Sequence, residues 1–299
     1  MGGKPVTLLE GGAFFEAPRW RDGRWWVSDF YRRAVYAVRP DGRAEEVLRV
    51  EGQPSGLGWM PDGSMLVVSM KDHRVLRREP GGAVTEHADL SADAGGHSND
   101  LVVDAEGRAY VGNFGFDLMA GRDPAPTRLV RVDPDGAVSV AAEDVHFPNG
   151  MVITPDGGTL LVGETTACRY TAFTIGPGGG LSDRRVWAQI TPAPSAGTFA
   201  EMLPQIGYAP DGCALDAEGC VWSADAVGGR CCRIAEGGEL IETIRPAGGL
   251  GVFACMLGGE DGRTLLLCTA PDFAEHERAA KREARLQTVT VDVPHAGRP

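Results

Sequence analysis

Four side chains far apart along the chain occupy one phase of a repeating pattern and carry the kind of oxygen that holds a hard cation. They are Glu16, Asn99, Asn149 and Asp211. Asn99, Asn149 and Asp211 each lie seven residues before an acidic residue followed by glycine (Glu106, Asp156 and Glu218), and Glu16 lies six before Asp22. Ser55 and Ala254 take the same place in the two remaining repeats. Two carboxylates and two amide oxygens suit Ca²⁺, Mg²⁺ or Mn²⁺, and Zn²⁺ accepts oxygen as well. Such a set leaves coordination positions for water and substrate, which a catalytic metal needs. Taken singly, Asn or Asp before Gly reads as a turn former. The shared phase of four such residues makes a site the better reading.

The elements that must bring these residues together follow from the repeat. One unit recurs six times: a short apolar run, an Asp-Gly or Glu-Gly turn, then a run rich in Val, Leu, Trp and Tyr. The six instances span 17–29, 55–70, 99–113, 149–164, 211–225 and 254–270. Their turns are 40, 44, 50, 62 and 43 residues apart, which brackets the ~40–50 of a four-stranded propeller blade. A second hairpin lies between successive turns, at Pro40-Asp41-Gly42, Pro80-Gly81-Gly82, Pro134-Asp135-Gly136, Pro177-Gly178-Gly179 and Glu236-Gly237-Gly238. Two hairpins per repeat predict an all-β, six-bladed propeller with four strands per blade, spanning 1–299 as one domain. A pair of β-sandwiches fits six near-equal repeats poorly. The last repeat supplies a third strand at 286–293, and residues 6–9 are free to act as its outer strand, so the two ends are expected to close the ring and remove exposed sheet edges. The Ala/Glu/Arg-rich stretch 273–285 predicts a short inserted helix. The long connection 191–209 reads either as a lid over one mouth or as a plain surface insertion.

Composition narrows the function classes. The net charge is −12, and no Lys/Arg cluster offers the basic face that phosphate backbones require, so nucleic acid is not an expected partner. No apolar run approaches the ~18 residues of a membrane span, and the first residues lack the apolar core of a secretory signal. The seven cysteines form no Cys-x-x-Cys pair and mostly sit in apolar runs, where a thiol behaves as a small hydrophobe. A reducing, cytoplasmic location is expected. Gly248-Gly249-Leu250-Gly251 lacks the downstream helix of a phosphate loop.

Glu16-Ala17-Pro18-Arg19-Trp20, Ser98-Asn99-Asp100-Leu101, Pro148-Asn149-Gly150-Met151 and Pro210-Asp211-Gly212-Cys213 resemble the gluconolactonase and senescence-marker-protein (regucalcin) family, which includes luciferin-regenerating enzyme. The likeness spans nearly the whole chain. It implies a six-bladed propeller with one divalent cation, Ca²⁺ as first choice and Zn²⁺, Mn²⁺ or Mg²⁺ as alternatives. It further implies that Glu16, Asn149 and Asp211 match the metal ligands, that Asn99 contacts the ion directly or through water and substrate, and that Asp211 also matches the general base. Asp117 falls where relatives place an acidic substrate contact.

One position departs from the pattern. Sugar-lactone members carry Arg two residues before the Asn, where this chain has His97, and His lacks Arg's fixed fork of donors. A substrate-contact role is assigned to His97 as the replacement. The loops expected near the mouth are also apolar, through Phe14, Phe15, Phe116, Met119, Phe199, Met202 and Leu203. The expected activity is metal-assisted hydrolysis of a lactone, with a less polar lactone or ester at least as good a fit as a sugar lactone. The alternatives are a non-catalytic cation- or ligand-binding propeller and an arylester or phosphotriester hydrolase using the same site. The expected partner is a small-molecule lactone or ester, and the protein is expected to be a monomer or a small homo-oligomer.

Overall fold

A computed structural model describes residues 3–195 and 197–297. It contains six four-stranded antiparallel sheets. Their inner strands are Phe15–Arg21, Pro54–Trp59, Ser98–Val103, Pro148–Ile153, Pro210–Leu215 and Gly251–Gly258. Each packs against the next, and the sixth returns to the first, so the sheets are the blades of a closed six-bladed propeller. The ring closes as expected. Strand Val6–Gly12 pairs with Ala284–Thr290 as the outer strand of the last blade, with Val6 opposite Thr288 and Leu9 opposite Leu286. The inserted helix is Glu275–Lys281, a little shorter than the stretch that predicted it, because residues 284 and 285 already belong to the strand.

The turn chemistry explains why the first repeat is a residue short. Arg21 pairs directly with Arg24, and both Asp22 (φ 51°) and Gly23 (φ 70°) are left-handed, as a two-residue type I′ hairpin requires. In the second blade the backbone NH of Met60 donates to the Ser64 carbonyl, leaving a three-residue loop in which Gly63 alone has positive φ. Inner strands are almost wholly buried, whereas outer strands such as Ala44–Arg49 and Val84–Asp89 are largely exposed. Burial thus grades from perimeter to axis, because each blade is covered on both faces by its neighbours. All seven cysteines are free and buried. Among the described residues no helix is long and apolar enough to cross a membrane.

Candidate functional site at one mouth of the ring

Every inner strand carries a register irregularity near its start: between Glu16 and Arg19, Pro54 and Leu57, Ser98 and Leu101, Pro148 and Met151, Pro210 and Cys213, and Val252 and Ala254. Such irregularities re-aim side chains and end regular pairing. In four blades the re-aimed position is the one singled out by the repeat, Ser55, Asn99, Asn149 or Asp211, and in the first Glu16 borders the irregularity. The glycines that follow it are not turn formers. A Cβ on Gly56, Gly150 or Gly212 would lie 2.4 Å from the Leu101 amide nitrogen, 2.3 Å from the Asp211 carbonyl or 2.5 Å from the Ala254 Cβ. Successive inner strands approach too closely there for any side chain.

Glu16, Asn99, Asn149 and Asp211 consequently face one cavity of about 120 Å³. They are at most 9% exposed. A chain of hydrogen bonds links the blades: Ser55 Oγ donates to Asn99 Oδ1 (3.1 Å), Asn99 Nδ2 to Asn149 Oδ1 (3.0 Å), Asn149 Nδ2 to Thr165 Oγ1 (3.3 Å), and Thr165 Oγ1 to the Pro210 carbonyl (2.7 Å). These bonds orient the amides and leave each Asn Oδ1 with a second lone pair. Deeper on the first strand, Arg19 crosses to Asp100 at 2.8 Å and to the Leu101 carbonyl at 2.7 Å, all buried.

Glu16 and Asp211 have no Lys, Arg or His within ion-pairing distance among the described residues. Burial pushes the Glu16 carboxyl well above its ordinary range, and the nearby Asp211 charge pushes it further. Asp211 is likewise driven well up, first by burial and also by Asp100, although its hydrogen bond with Asn149 works the other way. Around these groups the wall is hydrocarbon: seven of the ten phenylalanines line the cavity. Phe114 and Phe147 stack with centroids 4.6 Å apart, Phe14 and Phe253 at 4.8 Å. The connection 191–209 folds into the helical turn Phe199–Met202 and a 3₁₀ turn Leu203–Gln205, and contributes Phe199, Leu203, Ile206 and Ala209 to the wall.

A family model for the SMP-30/gluconolactonase/LRE-like region matches residues 14–271. The chain belongs to this family. It is 26% identical over 270 residues to a 6-deoxy-6-sulfogluconolactonase of Pseudomonas putida, covering 89% of this chain and 86% of that protein. It is 28% identical over 259 residues to a pentonolactonase of Haloferax volcanii, covering 85% and 81%. Among solved structures it matches a calcium-binding protein, regucalcin, from Agrobacterium tumefaciens, with a TM-score of 0.78 at 22% identity over 100% of this chain and 97% of that one. That last likeness concerns the fold.

In this gluconolactonase-family chain the other two expected contacts fall outside the cavity lining. The Asp117 carboxylate is exposed and accepts the Ala120 amide at 3.0 Å, closing its own turn. The His97 ring packs beside Phe114, with centroids 5.8 Å apart. Sequence reasoning missed Thr165 and Thr166, which line the cavity, and the buried Arg19–Asp100 pair. It also missed a second ring of polar residues ending the neighbouring strands. Asp29 accepts the Ala13 and Phe14 amides, Asn113 those of Gly95 and Gly115, Glu164 that of His146, and Asp225 that of Ala209. These braces hold the loops from which the inner strands start. Among the described residues no three His, Cys, Asp or Glu side chains gather into a metal-holding group. A cation at the mouth would therefore use the two carboxylates together with amide oxygens, and that mixed, hard-oxygen set fits Ca²⁺.

Proposed function

We propose that this protein is a divalent-cation-dependent hydrolase that opens a lactone ring. In this reading Glu16, Asn149, Asp211 and Asn99 hold the cation, Ca²⁺ as first choice over Zn²⁺, Mn²⁺ or Mg²⁺, and Asp211 is also the general base. The observation that carries the reading is the pair of buried carboxylates facing one cavity with no cationic side chain among the described residues paired to them. Buried charges are costly unless paired or metal-bound, and a bound cation reverses the rise in their proton affinity. The names of the lactonase relatives support lactone hydrolysis.

A bound cation supplies a Lewis acid for the ring carbonyl and lowers the pKa of an adjacent water. Asp211 removes the proton from the attacking water as its oxygen bonds to the carbonyl carbon. The ring C–O bond then breaks and the ring oxygen receives that proton, so one water and one lactone give one hydroxy acid. The Ser55–Asn99–Asn149–Thr165 chain fixes the orientation of the two amides beside the carboxylates. The aromatic wall excludes bulk water, which strengthens every electrostatic contact inside.

The test is a panel of lactones and aryl esters run with Ca²⁺, Zn²⁺, Mn²⁺ or Mg²⁺ against a chelator-treated control. Lactone turnover that needs the cation and is lost in Asp211→Asn supports the reading. Turnover indifferent to the chelator would remove the cation from it, and cation binding without turnover of any substrate would make the protein a binding propeller.

A further inference from the structure

The mouth cavity contains carboxylates at its floor and is otherwise mainly hydrocarbon, and several of its neutral polar atoms already have partners. Asn99 Nδ2 and Asn149 Nδ2 donate to neighbours in the interblade chain, and Thr165 Oγ1 donates to the Pro210 carbonyl. The Tyr31 hydroxyl, the only phenol on the wall among the described residues, donates to the Phe273 carbonyl at 2.5 Å. Among the described residues no Lys, Arg, His or Gln lines the space, and Thr166 supplies the one hydroxyl without a partner. The apolar surface also continues past the cavity. Met119, Leu203, Val227 and Phe273 are between 42% and 45% exposed, and all four stand on its lining. Scattered exposed hydrophobics are ordinary, but a contiguous rim around a cleft marks a binding surface.

We infer that the substrate is a lactone whose ring carries an alkyl or aryl body, with the carbonyl at the Glu16–Asp211 floor and the hydrocarbon against the phenylalanine wall and exposed rim. This rests on the hydrolase reading above for the orientation of the ring. A polyhydroxylated ring entering here would bury several hydroxyls against a mainly hydrocarbon wall, where among the described residues Thr166, the carboxylates and the spare amide atoms of Asn99 and Asn149 are the few partners left, and an unpaired buried hydroxyl is strongly disfavoured. A hydrocarbon body loses nothing on entry and gains from leaving water.

The experiment measures binding separately from turnover. Non-hydrolysable lactams are titrated calorimetrically into the full-length protein with calcium present: the plain five-membered ring, the same ring with progressively longer alkyl chains, and a polyhydroxylated six-membered lactam. Affinity is expected to rise about fourfold per added methylene until the rim is covered, with the polyhydroxylated ring binding weakest. Leu203→Ser combined with Val227→Ser, both on the exposed rim, is expected to flatten that rise for the longer chains. Tighter binding of the polyhydroxylated lactam, or affinity independent of chain length, would overturn the inference. Turnover is then read on the matching lactones. Alkyl lactams that bind while their lactones stay intact would leave the cavity's preference for a hydrocarbon-bearing ring standing and sink the hydrolase reading. Cation-dependent hydrolysis of sugar lactones without alkyl selectivity would do the reverse.

Discussion

Two sets of buried carboxylates share one mouth of the ring. Glu164 and Asp225 end the second strands of the fourth and fifth blades and stand opposite Pro148 and Pro210, the residues just before Asn149 and Asp211. Glu164 accepts hydrogen bonds from Arg169, Thr171 and the His146 amide, and Asp225 accepts Arg230 and the Ala209 and Gly228 amides. Burial alone would raise the Glu164 carboxyl, but the Arg169 and Thr171 bonds outweigh it and hold the group below its ordinary range. Glu16 and Asp211 are buried to a similar depth, have no cationic partner among the described residues, and move the other way. Burial therefore does not separate these two pairs of acids. The presence or absence of a cationic partner does, whereas Asp29, which braces its loop through backbone amides with no ion pair among the described residues, is raised by burial as well.

The comparison is most sharply tested at Asp211. Asp211→Asn is expected to lower lactone turnover about 10³-fold, the range for loss of a positioned base, while the cation-free protein keeps or slightly raises its melting temperature. A variant that unfolded instead would place Asp211 with the structural acids. The next largest effect is expected at Glu164. Glu164→Gln should cost about 3 kcal/mol in denaturant midpoint experiments, because it leaves Arg169 without its buried partner, yet cation-dependent turnover should stay near that of the parent. The pH dependence follows from its lowered pKa. The stability contributed by the Glu164 charge is fully present above the unfolded pKa and disappears as pH falls through the folded value, so the gap between parent and variant should narrow below about pH 4. A gap that widened on acidification would refute the assignment.

Cation addition draws the contrast in a single measurement. At a hundredfold excess over its dissociation constant, a cation bound only to the native state adds about 2.7 kcal/mol. Calcium should therefore raise the melting temperature of the parent and of Glu164→Gln, and much less that of Glu16→Gln. Equal shifts in all three would mean that the ion binds elsewhere.

Sequence pattern made the ring legible because glycine turns recur at blade spacing, and even the short first hairpin at Asp22-Gly23 showed as a missing residue. The convergence of Glu16, Asn99, Asn149 and Asp211 was legible for the same reason, since a fixed phase in a closed repeat must map to one ring of positions. The braces Asp29, Asn113, Glu164 and Asp225 recur just as regularly, one strand further on. Phase alone cannot tell the two polar rings apart, because the difference lies in partners from other elements: Arg169 and Arg230 for Glu164 and Asp225, and loop amides for Asp29 and Asn113. Most of the cavity wall was hidden for a related reason: of the apolar residues expected at the mouth, Phe14, Met119, Phe199 and Leu203 line it and Phe15, Phe116 and Met202 do not. Phe14 and Phe199 stand out in loops, whereas Phe147 and Phe253 border or occupy apolar strand runs and read as core.

Ser55 gives the smallest effect and the finest distinction. It holds the same phase as the four larger oxygen-bearing residues but is too short to reach the floor, and its hydroxyl donates to Asn99 Oδ1 instead. If its task is to orient that amide, Ser55→Ala should cost about 1 kcal/mol, the ordinary worth of a buried hydrogen bond, and weaken calcium binding about fivefold by calorimetry. The weakening would arise because Asn99 is then free to turn its amide over. Loss of stability with calcium affinity unchanged would show that the amide chain braces the blades without tuning the site, and would move Asn99 from the chemical set to the structural one.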